Sequence, residues 1–163
     1  MALTRTLRQL PLRLTAGAYI LNSGIEKWNA DEETAGNLHG FAATAYPFAK
    51  QVDPPTFVRA LAGTEIALGA ALLLPVVPGL LAGAGLAAFS AGLLGLYLST
   101  PGMRREGSIR PTQQGVPLAK DVWLLGIGSS LVIDDLTSPD GRRKAVEKAV
   151  EKAAEKADEL TAG

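Results

Sequence analysis

Apolar positions crowd the middle of the chain, and charged ones gather toward its two ends. From Ile66 to Met103, 38 consecutive residues carry no charged side chain. As one helix this run would be about 57 Å long at about 1.5 Å per residue. The hydrocarbon core of a bilayer is about 30 Å thick, so the run must turn. Pro75-Val76-Val77-Pro78-Gly79 supplies the break, because two prolines around a short link cannot continue a helix. The pattern predicts one membrane span over 57–77 and another over 79–100.

Two weaker apolar stretches flank this hairpin. Residues 10–28 carry Arg13 near one end and Glu26-Lys27 at the other. Residues 116–135 hold Lys120-Asp121 early, followed by the uncharged Val122–Ile133. Each can cross a bilayer beside a strongly inserted hairpin if its charges lie near an interface or face the bundle. The expected fold is all-α: a four-transmembrane-helix bundle over 1–136, with a soluble charged helical tail over 137–163. A two-span hairpin with two surface-lying helices is the competing arrangement. Arg5, Arg8 and Arg13 before the apolar Leu14–Ile25 also have the outline of a signal peptide. An uncleaved first helix is preferred, since it has further spans to pack against.

Between the first two spans, Asn29–Thr56 starts acidic (Asp31, Glu32, Glu33) and turns aromatic (His39, Phe41, Tyr46, Phe48). It reads as a re-entrant or interfacial segment. The tail repeats Lys144-Ala-Val-Glu147, Lys148-Ala-Val-Glu151 and Lys152-Ala-Ala-Glu155. Opposite charges at i,i+3 support a solvated helix. A docking helix that recruits a partner is the alternative, on a thin alanine stripe.

Small residues recur where helices would meet. Gly79, Gly83, Ala87, Ala91 and Gly95 form a small-xxx-small track in the third span. Ala62 and Gly69 share a face with Glu65, Gly17 and Gly24 mark the first span, and Gly126 and Ser130 the fourth.

Composition narrows the chemistry. The formal net charge is zero, which gives no reason to expect a nucleic-acid partner. There is no Cys and only one His, which removes disulfides, thiolate metal sites, iron–sulfur clusters and bis-histidine haem ligation within one chain. No metal site is expected. There is no phosphate loop or catalytic triad order, so the chain is not expected to be catalytic alone. Basic residues at both termini outweigh those in the two large loops, which favours cytoplasmic termini.

Glu65 is the most informative position, because a carboxylate within a span is costly unless protonated or paired. Spans two and four run in the same direction. Arg59, Glu65, Lys120 and Asp121 therefore lie toward one membrane face, joined by Glu26 and Lys27 from the end of span one. His39 and Tyr46 belong to a loop that could cover them as a lid. One reading is a structural network in which Glu65 pairs with Lys120 or Arg59, with Trp28 and Trp123 as interface anchors. The other is a pocket for a proton, a quinone or a polar headgroup. Arg13 falls toward the opposite face, and Asp134-Asp135 reads as the end of the last span at water.

Three segments resemble the DoxX family of small four-helix membrane proteins. They are Leu14-Thr-Ala-Gly17-Ala-Tyr-Ile-Leu-Asn-Ser-Gly24-Ile-Glu-Lys-Trp28, Gly63-Thr-Glu65-Ile-Ala-Leu-Gly69-Ala-Ala-Leu-Leu-Leu-Pro75 and Leu118-Ala-Lys120-Asp121-Val-Trp-Leu-Leu-Gly126. The likeness covers about residues 10–135 and leaves out the tail. It implies a four-helix protein of a bacterial or archaeal plasma membrane with Glu65, Lys120 and Asp121 as its polar centre. It also implies an accessory or quinone-associated subunit of a membrane redox system, with no covalently held cofactor and with quinone as the candidate bound cofactor. Two alternatives stay open: a small transporter, channel or lipid-binding protein using the polar pocket, and a scaffold that recruits a protein partner through the tail. Expected partners are membrane lipid and a second protein or another copy of the chain.

Overall fold

The computed structural model describes the backbone of residues 2–139 and the side chains from Leu7 onward. The lysine–glutamate tail repeat and its docking alternative lie outside the described residues. Every named element within them is helical: α1 (Ala2–Trp28), α2 (Glu32–Ala45), a 3₁₀ turn (Pro47–Gln51), α3 (Pro54–Leu73), α4 (Gly79–Ser99), α5 (Val116–Ala119) and α6 (Val122–Thr137).

Three helical segments are long and apolar enough to cross a membrane: Pro54–Leu73, Gly79–Ser99 and the near-continuous Val116–Thr137. At about 1.5 Å per residue, the 20 and 21 residues of the first two match a hydrocarbon core. This is the mark of a membrane protein. α1 is longer than either, with 27 residues, but its composition is mixed.

The expected spans shift for local reasons. α3 starts at Pro54 because Asp53 caps it, accepting from Thr56 N at 3.0 Å, with Pro54 and Pro55 in the first turn where no N–H is missed. It stops at Leu73 because Pro75 drives Leu74 into extended backbone. The last span tightens near Lys120-Asp121. Asp121 N–H bonds Leu118 O three residues back, and Trp123 N–H bonds Lys120 O. This 3₁₀-like pinch divides α5 from α6.

Asp31 caps α2 by accepting from Thr34 N at 2.8 Å. Both cap carboxyls sit below the usual carboxylate range. The cause is chiefly the side-chain, then backbone, hydrogen bond from Thr34 at Asp31, and the backbone, then side-chain, hydrogen bond from Thr56 at Asp53.

The long helices associate as two pairs, α1 along α3 and α6 along α4. Glycines set how closely each pair approaches. A Cβ on Gly69 would stand 2.6 Å from Leu21 N, and one on Gly24 would stand 2.9 Å from Ala62 O. In the other pair, a Cβ on Gly83 or Gly128 would lie 2.7 Å from the carbonyl of the other glycine. Backbones meet there, as lipid-embedded helices require when packing must replace the hydrophobic drive. The expected Gly126 is not the contact residue. It faces open space, and Gly128 makes the seam. Between the pairs lies a different kind of layer, made of bulky side chains: Ile20, Leu72, Leu86 and Leu131.

α1 departs in part from the usual arrangement of a helix. Gln9 and Arg13 are buried, at 3% and 6% exposure, while Leu7, Leu10, Leu14, Tyr19, Ile25 and Trp28 are exposed. Two of its polar side chains thus face the protein while several of its large apolar ones face out, and Ile20 still joins the core.

Candidate functional site

The two ends of the bundle hold different polar clusters. At one end lie the start of α1, the α3–α4 turn and the end of α6. Arg13 is built into this end. Its Nε donates to Leu72 O at 2.8 Å, and its Nη2 donates to Ala71 O, Leu74 O and Val77 O at 2.9–3.0 Å. One guanidinium thus satisfies the carbonyls left open where α3 ends and the chain turns, a task water cannot perform in a dry bundle. Asp134 pairs with Arg8 at 2.7 Å and accepts from Gln9 Nε2 at 2.9 Å. Asp135, 8% exposed, accepts from Leu80 N at 2.8 Å and so caps the start of α4. The expectation that Asp134-Asp135 merely ends a span at water is corrected. Both carboxylates are tied into the bundle, one to α1 and the other to α4.

The opposite end is covered by α2, the 3₁₀ turn and the loop after α4. Here Glu65, 4% exposed and twelfth in α3, sits against α1. Lys27 Nζ is 3.0 Å from Glu65 Oε2 and donates to Ser23 Oγ at 2.6 Å. Ser23 Oγ in turn donates to Glu65 Oε1 at 3.5 Å. Antiparallel packing of α1 on α3 creates this meeting. Gly24 and Ala62 bring the backbones together, and one turn away Lys27 reaches back over Ser23 to Glu65. The partly buried Asp121, just before α6, stands at this same end of the bundle.

The structure brings two of the six candidate residues into contact, Glu65 and Lys27, and places Asp121 at the same end of the bundle. Lys120 and Arg59 are exposed, and neither pairs with Glu65 as expected; the cation is Lys27. Glu26 is also exposed, on the far side of α1, where it accepts from Asn22 Nδ2 at 2.8 Å.

His39 and Tyr46, the expected lid, make their contacts elsewhere. His39 Nε2 is 2.9 Å from Ala49 O, and its ring meets Phe57 edge-on. Tyr46 donates its hydroxyl proton to Gly92 O at 2.6 Å and lies over Gly95, where a Cβ would collide with it. These contacts hold the α2 segment to itself, to α3 and to α4.

Ser23 was missed by sequence reasoning. Its signal was present, since it stands four residues before Lys27 on the same helical face. Arg13 was placed at the correct end, but its role depends on where α3 stops. No group of three metal-ligating side chains occurs among the described residues.

A shallow groove lined by Ile25, Trp28, Asn29, Gly63 and Ile66 opens on the outer side of the α1–α3 seam. Gly63 is two residues from Glu65, about 200° around the helix. The groove and the ion pair therefore lie on opposite sides of that seam. The lining of this groove includes none of Ser23, Lys27 and Glu65. Compared with known proteins, the chain matches no family model, no curated protein and no solved structure.

Proposed function

We propose that this chain is a four-span integral membrane protein whose Lys27–Glu65–Asp121 cluster takes up and releases a proton. In this reading it serves a membrane redox system as an accessory subunit, without a cofactor of its own. The observation that carries the reading is the charge count in the cluster. Two carboxylates, the buried Glu65 and the partly buried Asp121, lie at one end of the bundle, and the cation paired there is Lys27, 3.0 Å from Glu65. Fully ionised, the cluster holds one negative charge too many for a low-dielectric site, and one proton balances it.

The fourth span is supported by the partly inverted pattern of α1. Gln9, Arg13 and Lys27 spend their polarity on protein partners, while Leu7, Leu10, Leu14 and Ile25 face outward. Such a helix suits lipid although its average composition is mixed. Four spans place both termini on one side, and their arginines favour the cytoplasmic side.

The redox assignment, with a quinone as the proton's destination, rests on the DoxX resemblance of the segments around Gly24, Glu65 and Asp121. Gentle extraction followed by native mass spectrometry tests it. The expected result is retained quinone or a retained redox partner, with quinone lost on Glu65→Gln while the fold persists. A bare chain carrying only lipid would overturn the redox assignment. Proton or cation flux through the purified chain in vesicles would instead favour a small transporter, the second reading that the surplus carboxylate supports.

A further inference from the structure

Glycines at the α1–α3 seam do two different jobs. At Gly24 and Gly69 the facing backbone leaves no room for a Cβ. At Gly63 nothing stands so close, and an added Cβ would find only Trp28 Cζ3, at 3.9 Å. Helix contact therefore does not demand a glycine there, although glycine weakens a helix. What it leaves is open space, the groove lined by Ile25, Trp28, Asn29, Gly63 and Ile66. Asn29 closes one end of this groove, with its Nδ2 donating to Ile25 O at 3.0 Å. On α3, the face that carries Gly63 and Ile66 continues one turn toward the loop-covered end to Arg59, four residues before Gly63. Arg59 is exposed, and the ion pairs among the described residues, Arg8–Asp134 and Lys27–Glu65, do not include it.

We propose that this groove is a phospholipid site. One acyl chain lies along Ile25, Gly63 and Ile66 against the Trp28 ring, and the phosphate of the same lipid meets the Arg59 guanidinium. Three observations choose this occupant. The groove opens on the outer side of the seam, where a span faces hydrocarbon, and its one polar lining residue, Asn29, follows the end of α1. Its volume is about 260 Å³, below the about 300–1,000 Å³ of pockets that bury a drug-sized ligand, so it suits a single flexible chain rather than a substituted ring. Arg59 is sixth in α3, about 8 Å in from the helix start at about 1.5 Å per residue, within reach of the headgroup layer along its own stem. A guanidinium grips phosphate oxygens in a bidentate fork. Trp28, the last residue of α1, stands at the level where indoles border lipid headgroups. Apolar wall, interfacial indole and unpaired guanidinium thus follow one another in the order of a lipid's own parts.

The chain has two tryptophans, Trp28 in the groove and the exposed Trp123 on α6 outside it. Trp123→Phe and Trp28→Phe each leave one fluorescent reporter in the full-length protein. Both variants are titrated in nonionic detergent with phosphatidylglycerol carrying dibrominated acyl chains, which quench an indole on contact. Trp28 is expected to be quenched at near-equimolar lipid, and Trp123 only at large excess. Gly63→Leu, which fills the groove, should abolish the near-equimolar quenching of Trp28. Arg59→Gln, at an exposed position that the fold does not use, should raise the lipid concentration needed about fivefold, and it keeps the test open if Gly63→Leu does not fold. Dibrominated diacylglycerol, which lacks the phosphate, should be weaker by a similar factor. Parallel quenching of the two tryptophans, or none of Trp28 below large excess, would overturn the site. An unchanged response in Arg59→Gln together with equal quenching by diacylglycerol would overturn its assignment to a phospholipid. A dimer in light scattering whose Trp28 is shielded from the brominated lipid would overturn it too, by giving the groove to a second copy of the chain.

Discussion

The two polar clusters are built from similar residues but differ in balance. At the termini end, Arg13 gives all of its described hydrogen bonds to carbonyl oxygens of protein groups, and Asp134 and Asp135 each accept from a neighbouring helix. Arg13 and Asp135 complete a turn and a helix start, and Arg8 and Asp134 pair with each other. At the loop-covered end, Lys27 pairs with Glu65, and the partly buried Asp121 just before α6 makes no ion pair among the described residues. A buried charge that completes backbone hydrogen bonding is structural. A buried charge left over after pairing can change state. Burial alone therefore does not identify a functional site in a membrane bundle, since Arg13 and Glu65 are about equally buried.

This contrast can be broken most forcefully at Arg13. Arg13→Ala leaves the end of α3 and its turn without their donor. It should cost about 4 kcal/mol or abolish folded expression, read as loss of the monodisperse peak in detergent. A change under about 1 kcal/mol would mean that water reaches this end.

The paired cluster should behave differently. Lys27→Met strands Glu65 and should cost about 3 kcal/mol, while the double variant Lys27→Met/Glu65→Leu should return to within about 1 kcal/mol of wild type. Thermal unfolding in one detergent measures both. If the double variant were as unstable as the single one, Lys27 would be packing rather than pairing.

A smaller effect separates two glycines. Gly69→Ala should cost about 1–2 kcal/mol, because the new Cβ meets the backbone of Leu21. Gly126→Ala, facing open space, should be neutral or stabilising by up to about 1 kcal/mol. The same thermal assay would expose an error in the helix seams if the order reversed.

The smallest effect lies outside the spans. The carboxyls of Asp31 and Asp53 are held below their ordinary value of 3.8, so they bind protons more weakly when folded. Their stabilisation is complete above that value and is lost as pH falls through the folded value. Hydrogen exchange in the first turns of α2 and α3 should therefore accelerate only below about pH 4. Acceleration near neutral pH would point to another group.

The inner hairpin was legible because an uncharged run too long for one crossing must turn, and its prolines mark where. Glu65 was legible because its placement is costly. Its partner was harder to read. Lys27, Lys120 and Arg59 all fall toward the same end, and only the antiparallel register of α1 on α3 selects Lys27. Ser23 and Gly128 depend on the same registers, which a single chain of letters does not set. The role of Arg13 was hidden for a different reason, since it binds backbone carbonyls, which every residue carries.

The central claim is that the loop-covered cluster holds an exchangeable proton and the termini cluster does not. Infrared difference spectroscopy of the reconstituted protein, titrated from acid to alkaline pH, tests it most directly. The account predicts a protonated-carboxyl band that disappears as pH rises, is lost or shifted in Asp121→Asn and Glu65→Gln, and is unchanged in Asp134→Asn. A titrating band that survives both loop-side substitutions, or that vanishes with Asp134→Asn, would contradict it.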